Sequence, residues 1–167
     1  MAWVNPSLFS SGQTAGVSAN LNVIVADLLV AGSPTTTYTP TWAGTVTNPT
    51  ISNGTVTGYY WQIGKLVIGS WRIVLGTTTN IGAGNYTISL PIATAARYGA
   101  EDTLGTGLYR HQATPIRYSL AMYWNSSTTI APLYLNSSAN PTSLSASAPV
   151  APASTDVITG QFMYESV

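Results

Sequence analysis

The sequence contains no cysteine, and only 6% of its 167 residues are Asp, Glu, Lys or Arg. The absence of cysteine excludes disulfide bridges, thiolate metal ligands and a cysteine nucleophile. The five basic residues are scattered, so they form no stripe of the kind that phosphate backbones or anionic membranes attract. The formal net charge is zero. The composition therefore predicts neither a nucleic acid nor a membrane as the partner.

Long apolar runs are also missing. The longest lies near residues 23–31, is interrupted by Asp27 and is too short to span a bilayer. The first residues lack the basic region and apolar stretch of a signal peptide. We therefore expect a protein that is made in the cytoplasm of a cell and is not inserted into a membrane.

Side chains that could carry catalysis are few. His111 is the only imidazole, which excludes a His-rich metal site, and we expect it to be packed or solvent-facing. Glu101 and Asp102 are adjacent, so on a strand they would point to opposite faces, whereas glycoside hydrolysis needs two facing carboxylates. No phosphate-binding glycine loop or nucleophile elbow is present. We expect no enzymatic activity, cofactor or metal, with a calcium site at the carboxylate pair or a small polysaccharide-degrading enzyme as alternatives.

The residues that are abundant indicate a β-rich protein with many turns. The chain has 24 Thr, 18 Ser, 10 Asn, 15 Gly and 10 Pro, together with many β-branched and aromatic residues. Strands are predicted where apolar and polar residues alternate or β-branched residues cluster, at Tyr59–Ile63, Leu66–Leu75, Tyr86–Ile92, Ile116–Trp124, Thr128–Leu135 and Val157–Tyr164. Gly64-Lys65 suits a type II′ hairpin turn. The pattern predicts an antiparallel, jelly-roll-like β-sandwich over residues 34–167.

One short α-helix is predicted before the β-domain, within residues 17–33. Ser18 is a suitable N-cap, and Gly32 with Pro34 ends the helix. Apolar side chains follow at helical spacing, namely Leu21, Ile24, Val25, Leu28 and Leu29. Two heptads are marginal in isolation, so this helix either joins a parallel bundle that sets the oligomer or packs on its own domain.

The first sixteen residues have neither helical nor strand periodicity. Trp3, Leu8 and Phe9 are spaced among Pro, Ser, Gly and Asn. Such a segment becomes ordered only by packing on another surface. We interpret residues 1–16 as an anchoring arm, with a simple terminal arm as the alternative.

Aromatic side chains provide the clearest binding chemistry. Five Trp and ten Tyr offer flat, amphipathic surfaces that bind sugars or proteins at low entropic cost. Most are expected to fill the core. The candidates for exposure near loops, and so for receptor or glycan contact, are Tyr98, Tyr109, Tyr123 and Trp124.

Both ends of the chain and the first half of the β-domain carry recognisable motifs. Near the N-terminus an early Trp, a Gly/Thr turn and a Leu-Asn-containing helix are seen in Trp3, Phe9-Ser10-Ser11-Gly12-Gln13-Thr14, Ser18-Ala19-Asn20-Leu21-Asn22 and Asp27-Leu28-Leu29. The β-domain begins with Tyr38-Thr39-Pro40-Thr41-Trp42, Thr47-Asn48-Pro49, Asn53-Gly54-Thr55, Gly58-Tyr59-Tyr60 and Ile63-Gly64-Lys65-Leu66-Val67, and its closing strand reads Thr159-Gly160-Gln161-Phe162-Met163-Tyr164-Glu165. In these stretches the chain resembles small tail-fibre, minor tail and head-fibre virion proteins of actinobacterial phages.

The resemblance implies a homotrimeric virion appendage on the particle surface. In that arrangement Trp3, Leu8 and Phe9 would bind another virion protein of the capsid or tail. The threefold axis would be lined by Leu21, Ile24, Val25 and Leu28. The β-domain would stabilise the particle or contact a host cell-surface glycan. The helices of these proteins often carry Arg and Asp in their second half, whereas this one has only Asp27, so it is more apolar. A monomeric carbohydrate-binding module is the alternative function.

Overall fold

The computed structural model describes residues 35–135 and 141–167, which form ten β-strands and no helix. The strands are β1 (Thr36–Tyr38), β2 (Trp42–Gly44), β3 (Thr55–Ile63), β4 (Leu66–Val74), β5 (Tyr86–Ser89), β6 (Thr103–His111), β7 (Ile116–Ser126), β8 (Thr129–Leu135), β9 (Pro141–Ser143) and β10 (Val157–Glu165). The predicted helix with Leu21, Ile24, Val25 and Leu28 and the predicted anchor with Trp3, Leu8 and Phe9 lie outside the described residues.

All ten strands belong to one antiparallel sheet with the order β1-β3-β4-β10-β6-β7-β8-β5-β2. β8 pairs with β7 along one edge, while its other edge pairs first with β5 and then with β9. Neighbouring strands lie about 4.8 Å apart, so a flat sheet would separate β1 from β2 by about 38 Å. Only residues 39–41 connect these two edge strands, and such a link spans at most about 14 Å. The sheet therefore curls strongly into a half-barrel.

This architecture confirms the prediction of an antiparallel β-protein and refines its arrangement. We expected two packed sheets in a jelly roll, and the hydrogen-bonded path instead runs through a single curled sheet. Alternation along a strand identifies its buried face, but the opposite layer can be another sheet or the far side of the same one. Register shifts at Thr103/Gly105 in β6 and at Trp124/Ser126 in β7 mark irregularities of the bulge type, which increase local twist.

The core lies on the inner face of the curled sheet, where every second side chain of the long strands points. In β4 and β10 the buried large side chains are Val67, Trp71, Ile73, Ile158, Phe162 and Tyr164. Burial of one such side chain contributes about 1.5–3 kcal/mol. The edge strand β2 joins this core through Trp42, whose ring centroid lies 4.9 Å from that of Tyr86 in an edge-to-face contact.

The β3–β4 hairpin follows from its turn residues. Ile63 pairs with Leu66, which leaves Gly64 and Lys65 as a two-residue loop. Gly64 has φ of 58°, a left-handed value, as the first central position of a type II′ turn requires. The predicted position of this hairpin is confirmed.

Candidate functional site

The outer face of β3, β4 and β10 carries a row of large apolar side chains that the core does not use. Six residues form this apolar strip, and each has 37–60% of its surface exposed to solvent: Tyr59, Trp61, Ile63, Leu66, Ile68 and Met163. Trp61, Ile68 and Met163 are direct cross-strand partners, and Ile63 is the partner of Leu66. Residues in such rows contact one another, so the strip is contiguous rather than scattered.

Next to the apolar strip, the same face holds a polar groove of about 560 Å³. We define it by its outward side chains, which are polar apart from Leu108: Thr57, Tyr59, Ser70, Arg72, Thr106, Leu108, Thr159 and Gln161. Tyr59, Ser70, Gln161 and Thr106 are partners in one row across β3, β4, β10 and β6. Because Ser70 is small, the row dips between Tyr59 and Gln161. The volume suits a small ligand.

The floor of the polar groove has free hydrogen-bonding capacity. Among the described residues, the side chains of Ser70, Thr106 and Gln161 make no hydrogen bond to one another or to any other residue. A second depression of about 600 Å³ shares these three residues and continues to Trp61 and Met163. The polar groove and the apolar strip are therefore parts of one continuous surface.

Three arginines collect at the end of this face that lies away from the hairpin turn. Arg72 is a partner of Thr159, while Arg110 and Arg117 face each other directly across β6 and β7. The chain neighbours of Arg72 and Arg110 are buried on the inner face, so both arginines point outward, and Arg117 lies on the same face as the direct partner of Arg110. Within residues 35–135 and 141–167, none of the three forms an ion pair. Like charges in a direct cross-strand pair are destabilising.

On the inner face, a buried carboxylate joins the end of β6 to the start of β10. The side chain of Asp156 is completely buried. Its Oδ2 accepts hydrogen bonds from the Tyr109 hydroxyl at 2.7 Å, from His111 Nδ1 at 2.8 Å and from the Ala153 amide at 2.8 Å. Its Oδ1 accepts from the Gln112 amide at 2.8 Å. The carboxylate thus has four donors, which a buried charge requires.

These contacts set the ionisation of the cluster. Burial raises the pKa of Asp156, but the hydrogen bonds from Ala153, Gln112, His111 and Tyr109 outweigh it, so the pKa lies below the ordinary value of 3.8. Burial, followed by the hydrogen bond to Asp156, raises the pKa of Tyr109 far above its usual range. The cluster therefore holds an ionised aspartate and a protonated tyrosine, and lines neither of the two depressions described above. Its arrangement fastens the loop before β10 to β6.

The predicted receptor-contact residues are not brought together as one exposed patch. Tyr109 is completely buried, so its predicted exposure is wrong; it lies on a central strand rather than near a loop. Tyr98 is half-buried, and its hydroxyl accepts hydrogen bonds from Arg97 and from the Glu165 amide. Trp124 is half-buried and donates from Nε1 to Thr94. Tyr123 is also half-buried and borders a small depression of about 190 Å³. A receptor contact by Tyr98, Tyr123 or Trp124 stays a prediction.

The adjacent carboxylates Glu101 and Asp102 lie in the turn before β6. Asp102 Oδ2 accepts from the Gly99 amide at 2.8 Å, which ties the turn together. In the part of the chain that the structure describes, no three His, Cys, Asp or Glu side chains are grouped so that they could hold a metal ion. Nor does that part contain a helix long and apolar enough to cross a membrane.

Sequence reasoning missed the outer face because its aromatic residues were assigned to the core. The available signal was the alternation in β4, where Val67, Trp71 and Ile73 share one face. That spacing sends Ile68 and Arg72 to the opposite face. The arginines gave no signal along the chain, since they come onto one face only when β4, β10, β6 and β7 become neighbours.

Comparisons of the chain with protein-family models, with curated proteins and with solved structures found no match.

Proposed function

We propose that this chain is a structural protein of a bacteriophage virion surface. It forms a homotrimeric, fibre-like or spike-like appendage, either a tail fibre or minor tail protein or a capsid decoration of the head-fibre type. Residues 1–16 attach it to another virion protein, and residues 17–33 contribute to the threefold contact. The β-domain is displayed outward, where it contacts the host surface or stabilises the particle. It acts without catalysis.

The observation that carries this proposal is the apolar strip. Soluble monomers rarely expose contiguous apolar patches of more than a few hundred Å², and larger ones mark contact surfaces. The strip consists of six large side chains, each at least 37% exposed, on adjacent strands. Such a surface is stable in water when another protein surface covers it.

The occupant that fits the strip best is a second copy of this chain. Charge repulsion between copies is minimal, because the formal net charge is zero and only 6% of residues are charged. The charged residues bordering the strip have opposite signs: Lys65 lies in the hairpin turn and Glu165 on β10. Closed homo-oligomers are also the most frequent assemblies of soluble proteins.

The test is the solution mass of the full chain at micromolar concentration, measured by light scattering or sedimentation. We expect three times the 17.5 kDa chain mass. Substituting Trp61→Ser together with Met163→Ser removes apolar contact from the strip and shifts the mass toward the monomer. Val46→Ser is the matched control, since Val46 is 76% exposed and lies outside the strip. A stable monomer of the full chain that does not join phage particles would overturn the proposal.

A monomeric carbohydrate-binding module is the second candidate, favoured by the polar groove with Tyr59 at its side. Deleting residues 1–31 separates the two functions. A binding module keeps its affinity for a glycan after this deletion, whereas a virion protein is no longer incorporated into particles.

A further inference from the structure

From the outer face we infer a binding site for an acidic saccharide, a sugar carrying a carboxylate or a phosphate. The site is the polar groove, with Arg72 as its anion-binding residue and Arg110 and Arg117 as the neighbouring positive charges. The inference rests on the proposed display of the β-domain toward a host surface and names the class of ligand that it would contact there.

The polar groove has the chemistry of a saccharide site. Tyr59 is 44% exposed at its side and offers a ring face for the apolar side of a sugar. Ser70, Thr106 and Gln161 lie along the floor, and their side chains make no hydrogen bond within the described parts of the chain. Hydroxyls and an amide that are free to donate and accept match the hydroxyl groups of a sugar ring.

The charge distribution selects an acidic ligand. Three of the chain's five basic residues lie at one end of this face. Glu165 shares the face but lies six residues along β10 from Thr159, the partner of Arg72, which corresponds to about 20 Å. It is also paired with Arg97, at 3.0 Å between Nε and Oε2. Asp156 is nearer in the chain, but it points into the core.

An anion bound at this end of the face would reduce the repulsion between Arg110 and Arg117. Arg110 and Arg117 are direct cross-strand partners on a surface that is otherwise nearly uncharged. A carboxylate or a phosphate bound near this pair adds an opposite charge, which offsets the repulsion between the two guanidinium groups. Arg72 lines the groove itself, so it contacts the anionic group while the other two contribute to the field.

The experiment measures binding of the full chain to three probes by titration calorimetry. The probes are trigalacturonic acid, its neutral methyl ester and a phosphorylated oligosaccharide. We expect the ester to bind at least about tenfold more weakly than the acid, and the acid to bind more weakly as salt is raised. The phosphorylated probe shows whether a phosphate can replace the carboxylate.

Matched variants test the assignment of residues. Arg72→Gln is expected to weaken binding of the acid by at least about tenfold, and Tyr59→Ala by a similar factor. Lys65→Gln removes the same charge from the hairpin turn at the far end of the face and is expected to have no effect. Equal affinity for acid and ester, equal behaviour of Arg72→Gln and Lys65→Gln, or no binding of either acidic probe at millimolar concentration would overturn the inference.

Measuring the solution mass of each preparation distinguishes a failure of the saccharide site from a failure of the proposed trimer. A trimer that binds no acidic probe overturns the saccharide site alone. A monomer that binds the acid through Arg72 supports the site and counts against the trimer.

Discussion

The buried carboxylate of Asp156 gives the sharpest test of what holds the β-domain together. Asp156→Asn keeps the size of the side chain but replaces one of its two acceptor oxygens by an NH₂ donor. In the native cluster Oδ2 accepts three hydrogen bonds and Oδ1 accepts one. In either orientation the amide therefore places a donor against at least one buried donor.

The expected loss of stability is large for one isosteric substitution. A hydrogen bond to a charged group contributes about 1.5–3 kcal/mol and an unsatisfied buried donor costs about 1–3 kcal/mol, so the loss is about 3–5 kcal/mol, against a total stability of about 5–15 kcal/mol for a domain. For a domain of this size the melting temperature falls by roughly 3–4 °C per kcal/mol, so we expect a decrease of roughly 9–20 °C. Tyr109→Phe removes a single donor and should cost about 1–2 kcal/mol.

The stability of Asp156→Asn relative to the native chain should also depend on pH. The folded pKa of Asp156 lies below its ordinary value of 3.8. The stabilisation is therefore fully present well above pH 3.8 and is lost as the pH falls through the folded pKa. Urea unfolding at a series of pH values should show the native chain losing its advantage over Asp156→Asn on acidification.

Glu101→Gln is the control for the change of charge, because Glu101 is exposed in a turn. It should unfold like the native chain at every pH. If Asp156→Asn is within about 0.5 kcal/mol of the native chain near neutral pH, or if Glu101→Gln loses as much, the four-donor account of this cluster is wrong.

Two further predictions concern close packing and a buried hydroxyl. Gly160→Ala should destabilise the domain by about 1–3 kcal/mol in urea unfolding, because the new Cβ would lie 2.5 Å from the buried indole of Trp71. Gly99→Ala is the control and should be neutral, because its Cβ would meet no atom within 4 Å. Tyr164→Phe should lower the free energy of unfolding by about 1–2 kcal/mol, because the Tyr164 hydroxyl donates to the Ile92 carbonyl at 2.6 Å. Tyr38→Phe should be neutral or stabilising, because the buried Tyr38 hydroxyl has no partner among the described residues. Equal effects within either pair would contradict the assigned contacts.

The strands that sequence reasoning located are those in which alternation is undisturbed. β4 and β10 were predicted with nearly their observed bounds, because large buried residues recur at every second position. β6 was missed, although it is a central strand that contributes Leu104 and Tyr109 to the core. Its inner face carries Gly105 and Gly107, which provide no apolar side chain for the pattern.

The need for glycine at these two positions becomes clear only from the neighbouring strands, β10 and β7. A Cβ on Gly105 would overlap the backbone of Gln161, and one on Gly107 would overlap the Met122 side chain and the Thr159 carbonyl. A sequence read along the chain cannot distinguish a glycine that permits such an approach from one that ends a strand. The cluster of Asp156 with His111 was not predicted either, because the two residues are 45 positions apart and come together only when β10 pairs with β6.

The positions of the apolar strip and the polar groove on one face make assembly and ligand binding compatible. The row of Trp61, Ile68 and Met163 lies two rows from that of Arg72, which is about 14 Å along the strands. A second subunit that covers the five strip residues other than Tyr59 would therefore leave Tyr59 and Arg72 at the rim of the contact and accessible to solvent. A trimer would then present three such grooves on one particle appendage. Linked sites bind a repeating polymer with an avidity that exceeds the affinity of one site by 10²–10⁴, so each groove needs only modest affinity for a saccharide.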